Sequence, residues 1–173
     1  MTTTVDLGLV ETYVEDHVTG ATGIIERLGR MQGAPGLVDV SDDLARLRAE
    51  LVEERALHLA TARDLGLAPS RSKRVLAAVA ERAARLKPNR RLRTPSPLTP
   101  LLELEVVRSG IEGKRLGWLT LRAHADDLGL DGPRIDGLVE RSRDQAVRVE
   151  AMAAHVRGGA FDATSVQTGQ DRS

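Results

Sequence analysis

The sequence predicts an all-α protein: an antiparallel four-helix bundle with one long crossover that carries a short extra helix. Three observations lead there. The long segments place their apolar residues at a 3.6-residue period, and alternating β-branched runs are absent. Tyr13, Trp118 and Phe161 are the only aromatic residues, so the core must be Leu, Val, Ile and Ala, the filling of packed helices. Finally, two pairs of long helical segments, each joined by a short loop, flank about 30 residues of proline-broken chain.

A chain of 173 residues suits one domain, and a domain of that size buries roughly 70% of the surface its unfolded chain exposes. The 41% hydrophobic content is too high for a disordered chain. Cysteine is absent, which excludes disulfides and thiolate metal sites. Lys and Arg number 25 and so do Asp and Glu, so net charge gives no general pull toward nucleic acid or membrane. The opening Met1-Thr-Thr-Thr-Val-Asp has no signal-peptide pattern, and no apolar run approaches the ~18 residues of a membrane span. A cytoplasmic domain over residues 1–157 with a flexible tail over 158–173 is expected.

The first helix is expected from near Thr4 to about Met31. Its stripe is Val10, Tyr13, Val14, Val18, Ala21, Ile24, Ile25 and Leu28. Gly20 and Gly23 inside it suggest either close approach of a neighbour or mere tolerance. A second helix opens with Ser41 as N-cap, followed by Asp42 and Asp43, whose charges suit the positive end of the dipole. Leu44, Leu47, Leu51, Ala62 and Leu65 form its stripe, and it stops around Gly66. A shorter amphipathic helix over about Ser72–Lys87 follows, then a linker broken by Pro88, Pro95, Pro97 and Pro100.

The next helix runs from Ser96–Thr99 to about Leu128. It is apolar on two sides, one carrying Leu98, Leu101, Leu102, Leu116 and Leu119, the other Leu104, Val107, Ile111 and Trp118. Arg108, Arg115 and Arg122 lie between them. A helix of this kind should be covered on both faces, hence central. Pro133 starts the last helix, whose stripe is Ile135, Leu138, Val139, Ala146, Val149, Ala153 and Val156.

Two hairpins joined by one long crossover, each long helix with an inward stripe, resemble the ferritin-like superfamily over about residues 4–157. The resemblance implies a di-metal centre, with one Glu from each of two helices and Glu-x-x-His from each of the others. His17, Glu54, His58 and Glu112 are the candidate ligands, and iron or manganese the implied metal. His17 and His58 fall on their apolar stripes, and His17, Glu54 and Glu112 lie near the midpoints of their helices. The chain departs from the family pattern, because Glu-x-x-His occurs nowhere and Arg55 stands three residues before His58. The other reading of these positions is a charge-paired polar layer of Glu54, Arg55, Glu105, Glu112 and the two histidines, which sets register more than it adds stability.

Gly110, Gly113 and Gly117 sit within one stretch of the central helix. They predict a tight helix crossing or, alternatively, a kink that opens a pocket beside Glu112. Lys114 and Trp118, at i, i+4, suggest a cation–π or stem-packing contact. No nucleophile constellation or phosphate loop is present, and aromatics that would stack bases or cofactor rings are few. From Arg71 to Arg93 nine basic residues face Glu81 alone, a net +8 that the rest of the chain offsets. Arg71, Lys73, Arg74, Arg90, Arg91 and Arg93 are therefore candidates for an anionic partner, unless the segment is a solvated face or lies on the acidic remainder. The leading functional expectation is a non-enzymatic structural or interaction domain without cofactor, self-associating through residual apolar surface. Metal binding and anion binding are the alternatives.

Overall fold

The computed structural model describes residues 5–67 and 96–162, and helix is the only regular secondary structure among them. Helix α1 spans Leu7–Met31. It starts after Asp6, later than the expected Thr4, because the Asp6 carboxylate accepts from the Gly8 and Leu9 amides at 2.8 and 3.3 Å. Gly33, at φ +70, turns the chain away after its end. A 3₁₀ turn over Val38–Val40 runs straight into α2, Ser41–Asp64. Ser41 is therefore not the N-cap; Val40 holds that place without a side-chain bond, and Asp42 and Asp43 sit in the first turn.

Helix α3 spans Thr99–Ala123 and breaks at His124, so the expected helix to Leu128 ends in a separate short helix α4, Ala125–Leu128. Gly129, at φ +64, closes α4, and Asp131 caps α5, Gly132–Arg157, by accepting from the Arg134 amide at 3.0 Å. The expected helix over 72–87, its proline linker as far as Pro95, and most of the tail lie outside the described residues.

Side-chain pairs fix how the long helices run. Arg48 of α2 donates to the Ile25 carbonyl, and His58 of α2 faces His17, so α1 and α2 are antiparallel. On α3, Gly110 meets Ile24 and Gly117 meets His17, so α1 and α3 are antiparallel too. Arg108–Glu150 (3.3 Å) and Arg122–Asp136 (3.0 Å) set α3 against α5 in the same sense. Arg148 pairs with Glu50 and Arg141 approaches Glu54 at 3.9 Å, joining α5 to α2.

Two apolar clusters fill the interior. The larger is built on Leu28, Leu44, Leu47, Leu104, Val107, Ile111 and Val149. The smaller gathers Val14, Trp118, Leu121, Ile135 and Val139 toward the other end. Burying each such side chain contributes roughly 1.5–3 kcal/mol. Ala160 also belongs to the larger cluster, so packing continues past the residue 157 boundary expected from sequence.

The central-helix expectation for α3 needs correction. Its Leu104–Trp118 side is buried, but Leu102 and Leu116 are 49% and 50% exposed, and Val106 and Leu119 are exposed as well. Apolar residues on opposite faces of a helix show that both faces can be covered; the described residues cover one along its length and the other only at its start, at Leu101. Gly20 and Gly23 have no heavy atom within 4 Å of where a side chain would begin, so tolerance, not close approach, explains them.

Candidate functional site

Between the two apolar clusters lies a polar layer drawn from α2, α3 and α5. Glu54 (1% exposed), Lys114 (8%) and Gln145 (0%) form its centre. The Lys114 ammonium donates to Glu54 Oε2 and to Gln145 Oε1, while Gln145 Nε2 donates to Glu54 Oε1 at 2.8 Å and Glu50 Oε2 at 2.9 Å. Glu50 in turn takes two bonds from Arg148. Burial pulls the Lys114 ammonium below the usual lysine range, and the Glu54 carboxylate works against that pull. Burial alone would raise the Glu50 carboxyl, but bonds from Arg148 and Gln145 outweigh it and hold the group low.

The histidines sit beside this layer. His58 is 1% exposed and stacks on Trp118. Its ring centroid lies 6.2 Å from that of His17. His17 Nδ1 donates to the Tyr13 carbonyl at 2.9 Å, an assignment fixed because a carbonyl only accepts. Burial first, then the neighbouring His17 and Lys114, lowers the His58 pKa to about 3. Neither His58 ring nitrogen has a hydrogen-bond partner among the described residues.

A cavity of about 300 Å³ opens between α1, α2 and α3. Asp16, His17, Gly20, Ala21 and Ile24 line it from α1, Leu51, Arg55 and His58 from α2, and Gly110, Ile111, Gly113 and Lys114 from α3. Its shape follows from the glycines of α3. A methyl on Gly110 would lie 2.5 Å from Ile24 Cγ1, and one on Gly117 would fall on the His17 ring. Glycine at both places, one heptad apart, lets α1 cross tightly, as the spacing predicts. Gly113, between them, meets nothing and leaves a gap.

No family model, curated protein or solved structure matches the chain.

Of the four candidate ligands, the fold brings His17, Glu54 and His58 to neighbouring positions but not Glu112. Glu112 points to solvent, 48% exposed, and takes both carboxylate bonds from Arg115, whose hydrogen bonds hold its carboxyl below the usual range. It belongs to the uncovered face of α3, as does Glu105. Glu54 is already engaged by Lys114 and Gln145. Among the described residues no cluster of three His, Asp or Glu side chains is arranged to hold a metal. The cation of the layer is Lys114, whose ammonium goes to Glu54 and Gln145 rather than to the face of Trp118, which stacks on His58. Its position could have been found, because Lys114 lies three residues after Ile111 and four before Trp118, on the buried stripe of α3. The candidate anion-binding residues Arg71, Lys73, Arg74, Arg90, Arg91 and Arg93 lie outside the described residues. Among the described residues no helix is long and apolar enough to cross a membrane.

Proposed function

We propose that this chain is a non-enzymatic interaction domain, a four-helix bundle of ferritin-like connection that pairs with a second copy of itself. The bundle reading is supported by the antiparallel contacts of α1 with α2 and α3, and of α5 with the same two helices. The polar layer supplies register, since Lys114, Glu54 and Gln145 spend their bonds on one another.

The observation that carries the functional reading is a stripe of α3 that the described residues leave uncovered. Leu102 and Leu116 are half exposed and stand seven residues either side of Ser109, with Val106 and Leu119 beside them. Such a stripe is complementary to itself: about a two-fold axis at Ser109, Leu102 of one copy meets Leu116 of the other. Ser109 at its middle is small enough for close approach. The Ser109 hydroxyl donates to its own helix, at Glu105, and needs no outside partner.

Sedimentation velocity over a range of concentrations tests the reading. Wild type is expected to shift from monomer to dimer, and L102E with L116E to stay monomeric with unchanged helix content. A wild type that remains monomeric throughout contradicts it.

A further inference from the structure

We propose that the cavity between α1, α2 and α3 binds a small amphipathic monocarboxylate, its head group held by Arg55 and its tail among Leu51, Ala21, Ile24 and Ile111. The volume of about 300 Å³ lies at the lower end of the range for small-molecule sites, and the wall is mostly apolar. Polar groups converge at one side of it. Arg55 and His58 are neighbours at i, i+3 on α2 and both line the space.

Arg55 is the anion-seeking group. It forms no ion pair with a carboxylate among the described residues, and its single bond goes to the Thr22 hydroxyl at 3.3 Å. Its Nε is buried without a partner. A guanidinium that is partly desolvated and meets no acid among the described residues has unspent donors in the fork geometry that a carboxylate fits. Lys114 does not compete, because Glu54 and Gln145 already hold it. Asp16 on the wall disfavours a second negative charge.

An entrance exists. Gly20 and Gly113 line the cavity, are exposed, and have open space where a side chain would begin. They lie between the two tight contacts that Gly110 and Gly117 make with α1.

Octanoate is the probe, with 1-octanol as the uncharged match of equal length. Trp118, the only tryptophan, stacks on His58 and reports occupancy by fluorescence, with calorimetry as the second readout. Octanoate is expected to bind wild type saturably. R55M should weaken octanoate by about tenfold or more and leave octanol unchanged, as loss of a charged hydrogen-bonding partner does. G20V, which fills the entrance without touching the outer face of α3, should abolish both while keeping the melting temperature. Absence of saturable octanoate binding, or equal binding by R55M, overturns the proposal. Should R55M fail to fold, undiminished binding by G20V overturns it instead.

Discussion

The imidazole of His58 lies flat on the indole of Trp118, with ring centroids 3.7 Å apart and planes within 10°. The pair joins α2 to α3 across the interior, where the polar layer gives way to the smaller apolar cluster. A neutral imidazole packs there as a flat ring; a protonated one would bring a charge to a place with 1% exposure.

Acid should therefore unfold this protein through His58. Its pKa is about 3 when folded against an ordinary 6.5, so between those values the unfolded chain binds a proton that the native state refuses. Stability is expected to fall as pH drops through that window, by about 1.4 kcal/mol per pH unit from this group. Urea unfolding across the same pH range checks it, and H58F should remove this part of the slope.

Glu50 adds a second acid-sensitive contact of smaller size. Its carboxyl is held below the ordinary 4.5 by Arg148 and Gln145, so its contribution is present above that value and lost as pH falls through the lowered one. The pair is partly exposed, with side chains 36% and 24% accessible, so solvent screening limits the contribution to about 1 kcal/mol. R148M should lower stability by that amount at neutral pH and by less at acid pH, as read by urea midpoints.

Two glycine substitutions should act in opposite directions. An alanine at Gly23 meets nothing and should stabilise α1 by up to about 1 kcal/mol, the helix-propensity difference. At Gly117 the same methyl runs into the His17 ring and should cost about 1–3 kcal/mol through overpacking. Thermal melts of G23A and G117A decide both signs.

The elements most legible in the sequence were those whose apolar stripe is single. Leu44, Leu47 and Leu51 on α2, and Ile135, Leu138, Val139 and Val149 on α5, are buried where their spacing places them. His17 and His58 also stand where their phase puts them, on one cavity. Helix α3 was harder, because Leu102 and Leu116 repeat as regularly as Leu104 and Ile111 do. Periodicity marks a face as apolar without saying whether its own chain covers it. Glu112 shares that apolar face, yet it points to solvent, where Arg115 pairs with it. The burial of Lys114 is not legible from spacing alone, because a long cationic chain ordinarily reaches water; the acid opposite, Glu54, makes its burial tenable.

The buried contact of Lys114 with Glu54 is the centre of the account, and a double-mutant cycle tests it most directly. K114M alone should strand the Glu54 carboxylate and cost about 3–5 kcal/mol, and E54L alone should strand the ammonium at similar cost. The two together should recover much of the loss, giving a coupling of about 1.5 kcal/mol or more. Denaturant unfolding of the four proteins measures it. Single losses that simply add, within about 0.5 kcal/mol, would contradict a paired charge at the heart of the fold.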